Sequence, residues 1–249
     1  MNKTKIAISI DQPLLELIDS KVDGSIIRSR SQAIEFFLRK GIGEQTIKDA
    51  VLLVHKKDFG MLLEEFQGSR LIVKHLKFLI ENGINNVYLV TQPNDKINEI
   101  NKLISGLKVK VNYVYEKNPR GTASALNLVR DYLKESFVVI NGDTYNEFNL
   151  RKMMNKHVKS NKVATIGLIT SKAPHNYSSV TLEGDNVIFF KDKERTESFI
   201  INAGIYIFKP DVFNYLKDIS SLEREVFPNL TQINELQGYF TYGVYKHFS

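Results

Sequence analysis

Beyond residue 50, short apolar runs of strand length alternate with stretches of helical spacing, and this alternation constrains the fold more than any other feature of the sequence. Residues 51–54 form a continuous apolar run, which is typical of a strand buried on both faces. Because parallel strands need helical crossovers, the alternation predicts an α/β domain with a mainly parallel mixed sheet over residues 50–249. The other predicted strands are 86–91, 108–115 and 137–140, and the predicted helices are about 70–82, 94–105 and 122–134.

The first 43 residues follow a different pattern. Residues 4–10 alternate polar side chains with isoleucines, which predicts a short strand with one apolar face. Asp11 before Pro13 predicts the start of a helix that ends near Gly24. Ser31 predicts the cap of a second helix that stops at Gly41. We therefore expect a β-α-α unit over residues 1–43, joined to the larger domain by a linker at 44–49.

A unit of about 40 residues cannot bury its own apolar side chains. Ile6, Ile8 and Ile10 on the strand and Phe36 and Phe37 on the second helix have no interior to enter. Pairing two strands antiparallel across a twofold axis would solve this, so we expect a homodimer, or a dimer of dimers.

Composition excludes several kinds of site. The chain contains no cysteine, which excludes disulfides, thiolate nucleophiles and cysteine-based zinc sites. Its 5 histidines show no metal-ligand spacing, so we expect neither a metal ion nor another cofactor. The net charge of +6 permits nucleic-acid binding without requiring it. The apolar runs are too short to span a bilayer and no signal segment opens the chain, which predicts a cytoplasmic protein without a membrane partner.

The β-α-α order, with Ser29-Arg30-Ser31 at the turn into the second helix, resembles the ribbon-helix-helix transcription factors of the Arc and MetJ type. The resemblance covers about residues 3–43 and implies a two-stranded ribbon in the major groove of double-stranded DNA. The DNA contacts that it implies are Lys3, Lys5, Ala7, Ser9, Arg28, Arg30 and Ser31. Two alternatives stay open: a dimerisation module that never touches DNA, and a head that pairs with another protein.

Four segments of the larger domain resemble the sugar-phosphate nucleotidyltransferases. They are 119–125 (Pro-Arg-Gly-Thr-Ala-Ser-Ala), 141–143 (Asn-Gly-Asp), 201–206 (Ile-Asn-Ala-Gly-Ile-Tyr) and 221–228 (Ser-Leu-Glu-Arg-Glu-Val-Phe-Pro). Their order and spacing agree with that family, which implies a Rossmann-like, GT-A-like fold and a pocket for a nucleotide or sugar nucleotide. The ligand-binding residues that the resemblance implies are Gly121, Thr122, Ala123, Asn141, Asp143, Lys193 and Asn202.

The chain departs from that family where phosphates would bind. The family has a Gly-Gly-x-Gly-Thr-Arg-type loop after its first strand, whereas residues 55–63 contain the single glycine Gly60. His247 stands where the family has its second metal-binding aspartate. Because nucleotidyl transfer depends on positioning and charge neutralisation, these losses predict an inactive pseudo-nucleotidyltransferase, with Asp143 as a metal ligand only if the domain is active.

Together these features predict a homodimeric, sequence-specific transcriptional regulator whose enzyme-derived domain senses a nucleotide or sugar nucleotide. The alternative is an active sugar-phosphate nucleotidyltransferase that uses the N-terminal unit for dimerisation. A further alternative is that the four family-like segments are retained only because they preserve the fold. The sequence leaves open the operator, the target genes, the ligand, the sign of regulation and any assembly beyond a dimer.

Overall fold

The computed structural model describes residues 6–22, 24, 27–41, 47–193 and 197–248. The chain divides into two compact units, Met1–Thr46 and Ile47–Ser249. No helix in the described part of the chain has the length and apolar content needed to cross a membrane.

The first unit contains two helices, α1 (Gln12–Asp19) and α2 (Arg30–Gly41). The Asp11 side chain caps α1 by accepting a hydrogen bond from a first-turn amide at 2.9 Å, as the sequence predicts. The Ser29 hydroxyl accepts a corresponding bond at 3.2 Å, so the cap of α2 lies two residues before the predicted Ser31.

The predicted N-terminal strand is not formed over residues 6–10. Ile6 and Ile8 are 73% and 53% exposed. A strand requires a hydrogen-bonded neighbour, and the alternating pattern by itself does not supply one within a single chain. The ribbon-helix-helix fold is therefore not shown. Lys3 and Lys5 lie outside the described residues.

The second unit is built on a nine-stranded mixed sheet in the order β5-β4-β1-β6-β11-β8-β12-β10-β9. These strands are β1 (Asp49–Leu53), β4 (Asn86–Thr91), β5 (Lys110–Tyr115), β6 (Phe137–Asn141), β8 (Ala164–Thr170), β9 (Ser179–Glu183), β10 (Asn186–Lys191), β11 (Ile200–Phe208) and β12 (Leu236–Phe240). Two small two-stranded sheets pair β2 (Glu65–Phe66) with β3 (Ser69–Arg70), and β7 (Thr144–Asn146) with β13 (Tyr245–His247). The neighbouring pairs β5–β4, β4–β1, β1–β6 and β8–β12 run parallel. The other neighbouring pairs of the large sheet run antiparallel.

Helices cover both faces of the large sheet. They are α3 (Leu71–Glu81), α4 (Ile97–Ile104), α5 (Thr122–Asn127), α6 (Leu150–Ser160) and α7 (Phe227–Gln232), with 3-10 helices at Lys56–Leu63, Pro174–Asn176 and Pro210–Tyr215 and a π-helix at Leu222–Val226. In β1, Val51 and Leu53 join one apolar core while Ala50 and Leu52 join the other. This central strand is buried on both faces, which confirms the prediction from its unbroken apolar run.

Candidate active site

A cleft of about 360 Å³ opens at the carboxyl ends of β1 and β6. From β1 the chain proceeds outward through β4 to β5, and β6 then returns to the opposite side of β1, so the strand order reverses at this point. Such a reversal separates the neighbouring loops and leaves a crevice for ligands. The residues that line the cleft are Leu53, Val54, His55, Asp58, Val90, Glu116, Pro119, Arg120, Gly121, Thr122, Ala125, Asn141 and Asp143.

Asp143 lies just beyond the end of β6, in a turn held against β1. The amide of Gly142 donates to the Leu53 carbonyl at 2.8 Å. A Cβ at Gly142 would lie 2.7 Å from the nearest side-chain atom of Val54, so only glycine allows this close approach. The Asp143 carboxylate stays about one third exposed and faces the cleft.

The C-terminal strand β13 completes this side of the site. Strand β13 pairs antiparallel with β7, and the amide of Phe248 donates to the Asp143 carbonyl at 2.7 Å. This pairing brings His247 Nε2 to 3.6 Å from Asp143 Oδ2. His247, which stands where the family has its second metal-binding aspartate, therefore lies beside Asp143. It offers an imidazole nitrogen in place of a carboxylate oxygen.

Asp143 and His247 provide too few ligands to hold a metal ion on their own. Across the described ranges, no group of three or more histidine or acidic side chains is placed to do so. Mg²⁺, however, is commonly bound by one or two carboxylates and completed by substrate phosphates and water. The open carboxylate of Asp143 fits an ion that arrives with a nucleotide.

The Gly121 loop forms the opposite wall of the cleft. Gly121 has a φ of +138°, and a Cβ there would lie 2.5 Å from the Ser220 carbonyl oxygen. That carbonyl accepts a hydrogen bond from the Ala123 amide at 3.0 Å. The glycine is therefore required by a close contact between the 119–125 segment and Ser220, the residue just before the 221–228 segment.

A buried polar network centred on Tyr206 joins all four of those segments. The Tyr206 hydroxyl accepts hydrogen bonds from Asn141 Nδ2 at 3.2 Å and Asn202 Nδ2 at 2.8 Å. It donates to Glu223 Oε1 at 3.3 Å, and Thr122 Oγ1 donates to Glu223 Oε2 at 2.8 Å. Burial raises the pKa of Tyr206 well above its ordinary value, which keeps the hydroxyl protonated as a donor.

His75 contacts the turn that carries Asp143. It lies on α3, is 2% exposed, and is hydrogen-bonded to the backbone of Gly142. Burial lowers the pKa of His75 to about 4, so the imidazole is neutral near pH 7. A neutral side chain beneath the turn adds no positive charge that would compete for the aspartate.

The segment that replaces the glycine-rich loop is a 3-10 helix, Lys56–Leu63. His55 caps it through Nδ1, which accepts from the Lys57 amide at 3.2 Å. Phe59 and Leu62 are fully buried and anchor it to the core. The segment presents His55 and Asp58 to the cleft.

The structure brings together most of the predicted ligand-binding residues. Gly121, Thr122, Asn141 and Asp143 line the cleft. Ala123 is fully buried behind it, and Asn202 is buried and connected through Tyr206. Lys193 is exposed and does not line the cleft. Sequence reasoning did not assign site roles to Tyr206, Glu223, Arg120, Gln92 or Glu116.

Comparison with known proteins identifies the family. Residues 57–239 match the nucleotidyl transferase family. The chain belongs to this family.

Among the curated relatives, the mannose-1-phosphate guanylyltransferase catalytic subunit beta of Xenopus tropicalis is 29% identical over 192 residues, which cover 72% of this chain and 53% of that protein. The protein of the same description from Drosophila melanogaster is 30% identical over 182 residues, covering 70% of this chain and 49% of that protein. The chain thus spans about half the length of these relatives.

Solved structures show the same fold. HddC from Yersinia pseudotuberculosis has a TM-score of 0.68 at 22% identity and covers 80% of this chain and 93% of that one. The inositol-1-phosphate CTP transferase from T. maritima has a TM-score of 0.66 at 16% identity, and the match covers 82% of this chain and 89% of that one. The predicted nucleotidyltransferase-like α/β fold is confirmed.

These findings correct the predicted function. The prediction of a DNA-binding transcriptional regulator is wrong, as is the prediction of a pseudoenzyme, because the family and the named relatives are nucleotidyltransferases. The error lay in giving the missing glycines more weight than the retained site. The folded chain still closes a cleft around Asp143 without that loop.

The residues predicted to contact DNA gain no support from these matches. The family match begins at residue 57, beyond the N-terminal unit. Ala7, Ser9, Arg28 and Ser31 are exposed. Arg30 donates two hydrogen bonds to Asp19, at 2.7 and 2.6 Å, so its guanidinium is already engaged within the unit.

Proposed function

We propose that the chain is an active nucleotidyltransferase that joins a nucleoside triphosphate to a sugar phosphate and releases pyrophosphate. One observation carries this proposal: four segments far apart in the sequence are joined by one polar network, and two of them line a single cleft with Asp143 at its edge. A scaffold that had lost its substrate would not need the open carboxylate of Asp143 in the cleft.

The proposed reaction is a substitution at phosphorus. An oxygen of the sugar phosphate attacks the α-phosphorus of the nucleotide, the bond to the bridging oxygen breaks, and pyrophosphate leaves with those electrons. A divalent cation bound with the nucleotide would neutralise phosphate charge at this centre.

The protein's part is to position the reactants. Asp143 would hold such an ion, and His247 Nε2 lies 3.6 Å from its carboxylate. Arg120 brings a positive charge to the same cleft. The Gly121 loop shapes the wall next to it, held by the Ser220 carbonyl. Such fixed groups lower the barrier because they need little reorganisation during the reaction.

The test is pyrophosphate release in the presence of MgCl₂. Mannose 1-phosphate and GTP are the first pair to assay, because they are the substrates that the relatives' names specify. Asp143→Asn should reduce the rate roughly 100-fold or more. Asp95→Asn, at an exposed position away from the cleft, is the matched control and should leave the rate unchanged.

For the N-terminal unit we propose pairing with a second copy of the chain. Its apolar side chains remain exposed in the single chain, among them Ile6, Ile8, Leu14, Leu17, Phe36, Phe37 and Leu38. So many exposed apolar groups in so small a unit favour burial in a twofold interface.

A further inference from the structure

His247 departs from the family in the chemistry of its side chain. An aspartate at this position would place a second carboxylate beside Asp143 and give a pair of oxygen donors. His247 places a nitrogen donor there instead, with Nε2 3.6 Å from Asp143 Oδ2. The two side chains are 33% and 34% exposed, so both are open to an ion that arrives with a nucleotide.

The fold holds this nitrogen in place. His247 pairs with Thr144 in the ladder between β13 and β7. Its neighbour Phe248 is 6% exposed and donates its amide to the Asp143 carbonyl at 2.7 Å. The ring of Tyr177 packs edge-on against the imidazole, with ring centroids 5.9 Å apart. Because these contacts fix His247 beside Asp143 in advance, little conformational freedom is lost when both bind one ion.

The separation of the two side chains suits two ligands of one ion. A nitrogen and an oxygen 3.6 Å apart are too far apart for a hydrogen bond, so the two groups are not hydrogen-bonded to each other. With metal–ligand bonds of about 2.0–2.2 Å, two atoms that share an ion lie about 3.0–3.4 Å apart. A shift of a few tenths of an ångström would bring His247 and Asp143 to that separation.

Nitrogen and oxygen donors favour different ions. Mg²⁺ is a hard ion that takes oxygen ligands, whereas imidazole suits first-row transition metals. We propose that His247 makes this site select a first-row transition-metal ion, such as Co²⁺ or Mn²⁺, over Mg²⁺. This inference rests on the proposed function, since the ion concerned binds together with the nucleotide. Mg²⁺ still binds through Asp143 and the phosphates, but less tightly.

The first measurement compares metal affinities. Calorimetry titrates Co²⁺ and Mg²⁺ separately into the full chain with GDP, corrected by titrations of GDP alone. The ratio of the two affinities is then compared between the parent protein and His247→Asp, so that any preference of the nucleotide itself cancels. A group that only orients a metal ligand typically contributes about 10–100-fold to affinity, so the ratio should be at least about 10-fold larger in the parent protein. His175→Asp, at an exposed histidine that does not line the cleft, is the matched control and should keep the parent ratio.

The second measurement identifies the nitrogen ligand in the parent protein. Pulsed EPR of Mn²⁺ bound to the full chain, with and without GDP, detects the nuclei of coordinated atoms. When the histidines are labelled with ¹⁵N, the nitrogen coupling should change from the ¹⁴N to the ¹⁵N pattern, which distinguishes imidazole from the nitrogens of guanine. His247→Asp should lose the histidine coupling, and His175→Asp should retain it.

The outcomes separate this inference from the proposed function. An affinity ratio that is unchanged in His247→Asp, or bound Mn²⁺ without coupling to histidine nitrogen, would overturn metal selection and leave His247 as a simple ion-pair partner of Asp143. Product formation together with either result would leave catalysis standing. Histidine coupling without pyrophosphate release would overturn catalysis and leave metal selection standing. The labelling experiment uses the parent protein, so it decides the matter even if His247→Asp proves unstable.

Discussion

Removing the Tyr206 hydroxyl should reveal how much the convergence of the four segments depends on one buried group. Tyr206→Phe preserves the ring, which is fully buried against Phe208 and Phe227. It deletes the acceptor shared by Asn141 and Asn202 and the bond to the carboxylate beside them.

The loss can be estimated from the partners that remain. Glu223 Oε2 keeps its bonds from Thr122 and Ser221, at 2.8 and 3.2 Å, whereas Glu223 Oε1 loses the bond from Tyr206. The Nδ2 groups of Asn141 and Asn202 lose this acceptor. Since an orphaned buried donor costs about 1–3 kcal/mol, the two amides together should lower the free energy of unfolding by about 2–6 kcal/mol.

Urea denaturation of the parent protein and Tyr206→Phe measures this difference. Tyr242→Phe makes the same chemical change at a side chain that is 87% exposed, and it should alter stability by less than about 0.5 kcal/mol. We also expect kcat to fall in Tyr206→Phe, because Asn141 and Thr122 line the cleft. Equal stability of the two variants would refute the reasoning that this hydroxyl joins the segments.

Two further predictions concern pH and assembly. Burial lowers the pKa values of His75 and His157 to about 4 in the folded protein, against 6.5 without burial. The unfolded chain therefore binds more protons between these values, so stability should be constant above about pH 6.5 and fall by roughly 3 kcal/mol per histidine as the pH approaches 4. Urea midpoints from pH 7.5 to 4.5 test this, and a flat profile would contradict it. For the N-terminal unit, light scattering after gel filtration should give a mass twice that of the 28.6 kDa chain. The double variant Phe36→Ser/Phe37→Ser should have the mass of a single chain. A monomeric parent protein would refute the pairing.

The regular part of the fold could be predicted because burial leaves a direct record in the sequence. The predicted strand 86–91 coincides with β4, and the run at 51–54 matches β1 within a residue or two. The helix predicted at 122–134 ends at Asn127, because the chain continues in i→i+3 turns at Leu128 and Val129. Periodicity does not distinguish such turns from a continuing helix.

The site was harder to predict because its contacts join distant residues. Thr122 and Glu223 are separated by 101 positions, and Gln92 and Glu116 by 24. A signal for Gln92 and Glu116 was present, since each is a polar residue directly after a strand of the parallel half of the sheet. Only the fold shows that those strands are neighbours.

The functional error has a physical origin too. Counting lost glycines treats the phosphate loop as the site itself, whereas the structure places Asp143, Arg120 and Gly121 around the cleft although the glycine-rich loop is absent from residues 55–63. In the N-terminal unit, period-two alternation records only that one face is apolar. It carries no information about whether the other face meets DNA.

The stoichiometry of the reaction tests the central claim most directly. The chain is incubated with GTP, mannose 1-phosphate and MgCl₂, and phosphorus NMR follows pyrophosphate and the sugar nucleotide together. We expect the two products in equal amounts, neither without the sugar phosphate, and neither above background with Asp143→Asn. Pyrophosphate or phosphate formed without a sugar nucleotide, or no product across a panel of nucleoside triphosphates and sugar phosphates, would contradict the account.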